Sequence, residues 1–309
     1  SEVAVGEARA RAKQRYVNSA AAGSLGIYDE KILIETTLYG LPMARVSVPT
    51  PTESPSQAQS APGVSSFSSA AAGLSWQTIT VTASFSQVTT LNGQFYTVDN
   101  EVQASAGRPI QPRLSQDIAQ AGTEARGVLF LGGDYRDIPS FDPVIARPVT
   151  DTAKTEPSFT LQGWYPTDMA AINRVETAFA TLERLVVVPA QFRNPGTERL
   201  WDRLSYDVTY STDLDTLDPT IWRAEAGQVP QRATFSVEAT DASGVERVAV
   251  AYSVGDGTWH SLELTPNAGT DTWSGSVPLN EGDTVAYFVQ AMDGAGNVAS
   301  GDNKGFYFE

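Results

Sequence analysis

Trp76-Gln77-Thr78-Ile79-Thr80-Val81-Thr82-Ala83-Ser84-Phe85 alternates in period two, with Ile79, Val81, Ala83 and Phe85 on one side and Thr78, Thr80, Thr82 and Ser84 on the other. A backbone whose side chains change face at every residue is a strand with one side on a core and the other in water. Further strands are expected at 94–98, 128–131, 158–161, 185–188 and 204–210, with Leu91-Asn92-Gly93 and Gly132-Gly133-Asp134 read as turns between them. Short strands punctuated in this way predict a β-sandwich over residues 74–213. One stretch departs from the pattern. Ile172, Val175, Phe179 and Leu182 recur at helical spacing behind a possible Asp168 cap, which predicts a helix over 168–182.

A second run of strands is expected at 233–239, 245–254, 259–264, 273–277, 284–291 and 305–308, and its length suits an immunoglobulin-like β-sandwich over 214–309. Two turns in it resemble each other, Asp241-Ala242-Ser243-Gly244 and Asp293-Gly294-Ala295-Gly296-Asn297, each following a strand that ends near Ala. They are expected to be adjacent corners. The chain is therefore mainly β from residue 74 onward.

Upstream, the Ala-rich segment 6–17 carries Arg9, Arg11, Lys13 and Arg15 without a breaker and predicts a helix. A second helix is expected from Asp29, as N-cap, to Gly40 and Pro42. The apolar positions of this pair, Val3, Ala8, Tyr16, Ile32, Leu33 and Leu38 among them, exceed what a lone hairpin buries, so the segment should pack on something else. Residues 49–73 are rich in Pro, Ser, Gln and Ala and nearly uncharged, which predicts a linker or long exposed loop.

Composition narrows the function. The 309 residues fit two or three domains, and 21 Lys and Arg against 36 Asp and Glu give a formal charge of −15. Polyanions and anionic lipid surfaces are repelled on average, so no nucleic-acid partner is expected. No stretch approaches eighteen uninterrupted apolar residues, so no membrane insertion is expected. There is no cysteine, hence no disulfide, zinc-thiolate site or thiol nucleophile. An acidic, cysteine-free chain rich in Ser, Thr, Ala and Gly suits an extracellular or cell-surface location, and the opening Ser1-Glu2-Val3-Ala4 reads as a trimmed start.

Gly6-Glu7-Ala8, Ala12-Lys13-Gln14-Arg15-Tyr16, Tyr28-Asp29-Glu30-Lys31 and Thr37-Leu38-Tyr39-Gly40-Leu41-Pro42-Met43 resemble the end of the catalytic domain of gingipain-like cysteine peptidases, which have a caspase-like fold. The resemblance implies that residues 1–48 are the last helices completing that α/β domain, and that the β modules are the family's non-catalytic C-terminal region. It also implies that the Cys nucleophile and His base precede this region, on an N-terminal catalytic chain of the same precursor. No catalytic residue carries over. A cysteine endopeptidase would use this chain as a subunit, whereas an extracellular structural or adhesive protein would use its β modules to bind further copies of itself.

Among single residues, the lone His260, beside Trp259 in an expected strand, is read as a strand residue rather than a base. No Gly-x-Ser-x-Gly frame is present, and Glu53, Glu101, Asp134 and Asp137 lack the context of a glycosidase pair. Gly132-Gly133-Asp134 and Gly294-Ala295-Gly296 lack the basic residue of a phosphate loop. Trp76, Trp164, Trp201, Trp222, Trp259 and Trp273 are read chiefly as core, against a carbohydrate platform. The remaining candidate is calcium. Asp213, Asp215 and Asp218 alternate through Asp213-Leu214-Asp215-Thr216-Leu217-Asp218 between the β modules, and Asp241 or Asp293 with Asn297 could complete the shell from neighbouring turns. Against it stands the ordinary use of Asp-rich turns as hydrated strand caps.

Overall fold

The computed structural model describes residues 66–68, 73–147, 158–176, 181–280 and 282–309. The expected helices at 6–17 and 29–40 lie outside them. The chain divides into two units, Ser1–Ser60 and Ala61–Glu309, and the second is described here. It is mainly β. In chain order its strands are β1 (Ser66–Ser68), β2 (Ser75–Thr82), β3 (Phe85–Thr90), β4 (Gly93–Val98), β5 (Val102–Gln103), β6 (Gln111–Pro112) and β7 (Leu114–Asp117). Then come β8 (Glu124–Pro139), β9 (Ala170–Glu176), β10 (Thr181–Val187), β11 (Ala190–Arg193), β12 (Thr197–Ser211), β13 (Thr220–Val229) and β14 (Arg232–Thr240). The last are β15 (Val245–Ser253), β16 (Thr258–Glu263), β17 (Thr265–Pro266), β18 (Thr272–Pro278), β19 (Ala286–Asp293) and β20 (Val298–Gly301).

A nine-stranded sheet runs in the order β1-β2-β12-β8-β16-β15-β19-β20, with β11 also on β12. It crosses the expected 213/214 boundary at one place, where β16 pairs with β8 through Thr258 with Asp134 and Trp259 with Gly133. Gly132-Gly133-Asp134, expected as a turn, is thus the interior of a sixteen-residue strand. The glycines are there for close approach: a Cβ on Gly132, whose φ is +138°, would lie 2.4 Å from the Trp259 carbonyl oxygen, and one on Gly133 2.3 Å from that of Arg203. At this point the register against β12 skips Leu131, a bulge that bends the strand toward its second partner.

The layer formed by β15 and β19 is buried on both faces. Val248, Val250, Val289 and Ala291 face Phe235, Val237 and Ala239 of β14 in one core, over which the four-stranded sheet β13-β14-β18-β17 lies. Ala251 and Phe288 face the other way, into a core built by Ile79, Val81, Phe130, Trp201, Leu204, Tyr206 and Val208. Polar groups tie the same seam. The Gln290 amide accepts from Phe130 N at its Oε1 (2.7 Å) and donates from its Nε2 to Phe130 O (3.0 Å), replacing a strand partner, and Arg247 of β15 pairs with Asp207 of β12 at 3.0 Å with both side chains nearly buried.

Three further expectations are corrected. The described residues of 168–182 are not helical: β9 and β10 pair as antiparallel strands, with Val175 opposite Leu182. The residues at helical spacing include these two, which are 47% and 40% exposed, while the buried positions, Leu185 and Val187, follow period two further on. Residues 158–161 are irregular rather than a strand; Asn194 Nδ2 donates to the carbonyls of Phe159 (3.0 Å) and Leu161 (2.8 Å), so these backbone groups are bonded to a side chain instead of a ladder. Residues 305–308 give a single 3₁₀ turn, Asn303–Gly305, and one bridge from Phe308 to Tyr287. In the stretch expected as a linker, β1 pairs with β2.

Candidate metal centre

Three connections of this unit meet: the β12–β13 segment, the β14–β15 turn and the β19–β20 turn. In the first, Asp213 Oδ1 accepts from Asp215 N (2.9 Å) and Asp215 Oδ1 from Leu217 N (3.1 Å), two successive turns in which a short carboxylate stands in for backbone. The second is folded by Asp241 Oδ1, which accepts from the amide and hydroxyl of Ser243, both at 2.7 Å. In the third, the fully buried Asp293 accepts at Oδ1 from Ala295 N (2.9 Å) and Asn297 N (2.8 Å), and at Oδ2 from Asn297 Nδ2 (2.8 Å). Gly294 N donates to Gly244 O at 2.9 Å, so the two similar turns lie side by side. Asn297 Nδ2 also donates to the carbonyls of Asp215 (3.3 Å) and Leu217 (3.1 Å), which fastens the first connection to the third.

One carboxylate oxygen from each of Asp215, Asp241 and Asp293 lies within 4.8 Å of the other two. Oxygens so spaced can share one hard cation, whose ligands sit at about 2.3–2.6 Å. The electrostatics point the same way. Burial, and then the nearby Asp241 charge, raise the Asp293 pKa above the ordinary carboxylate value against the lowering effect of its Asn297 and Ala295 hydrogen bonds. An ionised Asp293 is thus under-compensated by the protein alone.

Of the six residues singled out from the sequence, the fold brings Asp215, Asp241 and Asp293 together and hangs Asn297 beside them. Asn297 joins through its N–H groups rather than its oxygen. Asp213 and Asp218 stand outside the trio; burial raises the Asp218 pKa, and Asp213 carries the turn and offers its carbonyl to Arg126. Asp168, the expected helix cap, lies by a small cavity where burial and then Asp302 raise its pKa. His260 is an exposed β16 residue leaning on the Tyr252 ring at 5.5 Å.

A feature that sequence spacing does not reveal is an aromatic cleft of about 320 Å³. The Arg199 guanidinium lies between the rings of Tyr135 (3.7 Å) and Trp164 (4.2 Å) while chelating Asp137 through Nε and Nη2, and Arg193 covers Trp164 at 4.6 Å. Trp164, Trp201 and Trp259 are buried core residues, whereas Trp222 is 67% exposed. The cleft's lining is drawn from positions between Tyr135 and Glu309, and nothing local in the chain marks it.

No protein-family model matches this chain, and no curated protein does. Among solved structures it is similar to the complex of Porphyromonas gingivalis RgpB pro- and mature domains, at 17% identity and a TM-score of 0.37, over 50% of this chain and 87% of that one. It is similar also to a structure described as giving insight into the zymogenic latency of gingipain K from Porphyromonas gingivalis, at 11% identity and a TM-score of 0.35, over 50% of this chain and 96% of that one. Likeness at these TM-scores is slight, and the site is read from its own geometry.

Proposed function

We propose that this chain is the non-catalytic, bracing chain of a secreted gingipain-like cysteine peptidase, and that calcium held by Asp215, Asp241 and Asp293 locks its β modules together. The observation that carries the calcium reading is the convergence of three carboxylates from three separate connections, one of them fully buried. The peptidase reading rests on the resemblance of residues 6–43; these 309 residues hold no cysteine and hence no thiolate, and in this reading an N-terminal catalytic chain of the same precursor supplies the nucleophile and its base. Residues 1–48 would cover part of that partner's catalytic domain. The immunoglobulin-like sandwich made by the β14 and β15 layers, welded to the first module through β8 and β16, would hold it without touching the scissile bond.

Two measurements test this. Peptide mass spectrometry of the native complex should find a Cys- and His-bearing polypeptide at equal stoichiometry; this polypeptide alone would overturn the peptidase reading. Calcium at millimolar concentration should raise the melting temperature by several degrees, since a ligand at a hundredfold its Kd adds about 2.7 kcal/mol. Asp293→Asn should abolish the rise, and magnesium, which demands a tighter octahedral shell, should not reproduce it. A melting temperature indifferent to calcium would sink the metal reading. Because Asp293 binds calcium only when ionised, and its pKa is raised, the calcium-dependent increment should shrink as the pH falls through that raised value.

A further inference from the structure

Strand β13 is the outer edge of its four-stranded sheet, and among the described residues nothing pairs with its free side. It is ten residues long, and every position from Glu225 to Val229 is exposed. Free edges of this length are ordinarily blunted by lysines, proline or brevity, because unpaired N–H and C=O groups recruit another strand. Here the strand carries no lysine or proline, exposes Trp222 and Val229, and holds one charge of each sign, Arg223 and Glu225, on either side of Ala224.

From this spacing we infer that β13 pairs antiparallel with β13 of a second copy of this chain, about a two-fold axis through Ala224. In that register each Arg223 lies opposite the partner's Glu225, forming two equivalent cross-strand ion pairs, and no like charges oppose. Opposite Trp222 stands Ala226, next to Gly227, residues small enough to accept an indole. The bulge of β13 against β14 falls on Trp222, and the register from Arg223 through Glu225 is regular. Pairing of this kind adds main-chain hydrogen bonds and continues the sheet from one copy into the next.

The full chain should show concentration-dependent dimerisation in analytical ultracentrifugation. Arg223→Glu and Glu225→Arg, each placing like charges opposite one another, should weaken it about tenfold or more, and the double exchange should restore it. Because the chain has no cysteine, Ala224→Cys gives a single thiol that meets its own copy across the axis at about 4.5–5.5 Å between Cα atoms, within disulfide reach. Oxidised A224C should run as a covalent dimer, and V229C, whose two copies lie far apart in this register, should not. A monomer at every concentration, association insensitive to both single exchanges, or equal cross-linking of A224C and V229C would overturn the inference.

Discussion

Gly132→Ala should destabilise the protein by about 2–4 kcal/mol, far more than alanine at an ordinary glycine. Two costs coincide at this residue. Its φ of +138° is one that a side chain opposes, and the new methyl would meet the Trp259 carbonyl oxygen at 2.4 Å, a backbone atom that cannot rotate away. Relief requires β16 to draw back from β8, which breaks the two residue pairs joining the halves of the nine-stranded sheet. Gly122→Ala is the control, because φ there is +83° but the space is open, so only the conformational cost of about 1 kcal/mol applies. In a unit of this size each kcal/mol corresponds to about 2–4 °C. Thermal melts of the two variants should therefore separate clearly, and G132A should lose cooperativity if the halves unfold apart. Equal melting temperatures for both would mean that the seam bears little of the stability.

Gly132 and its neighbour Gly133 show where local sequence signals stop. Period-two alternation is a local signal: it places the strand at 233–239, and over 76–85 it finds β2 but runs past its end at Thr82, since Phe85 opens β3, which pairs with β4. Gly132-Gly133-Asp134 carries the local signature of a turn, but the reason for glycine there is the carbonyl of Trp259, more than a hundred residues on. Spacing of Ile172, Val175, Phe179 and Leu182 fits a helix equally locally, and the outcome was set by pairing with β7 on the far side of β10, a partner that periodicity does not encode. The metal candidates were legible because acidic turn residues are visible as types. Which three of them converge depends on the β14–β15 and β19–β20 turns being neighbours, and their shared Asp-x-x-Gly pattern suggested it without fixing a distance. The aromatic cleft and the Gln290 bridge to Phe130 left no local trace, since a glutamine in a strand is ordinarily a solvent-facing residue.

A glutamate in a strand is likewise expected in water, yet Glu198 of β12 is 1% exposed, and its replacement has the second large effect. Its single side-chain partner among the described residues is Gln111 Nε2 at 3.4 Å, too weak to compensate burial, and burial pushes its pKa up to about 8 despite that bond. Gln111 Oε1 in turn has no donor among the described residues. A protonated Glu198 can donate to this oxygen once the amide is turned over, whereas the carboxylate leaves it without a donor. The folded state therefore binds a proton that the unfolded chain releases at an ordinary carboxylate pH. The stabilisation this proton gives is complete below about pH 4.5 and is lost progressively as the pH rises to about 8. Across that window the wild type should lose about 3–5 kcal/mol from this residue relative to Glu198→Gln, which is neutral throughout and keeps the shape. Denaturant unfolding at pH 5 and pH 8.5 reads the difference. The two proteins should be nearly equal in the acid, and E198Q should be the more stable in the alkaline buffer by a few kcal/mol. Asp168 and Asp293, whose pKa values are also raised, contribute a slope of the same sign to both proteins and cancel in the comparison. If the variant instead followed the wild-type slope, Glu198 would be ionised in the fold, and a cation or water beside it would have to supply what Gln111 does not.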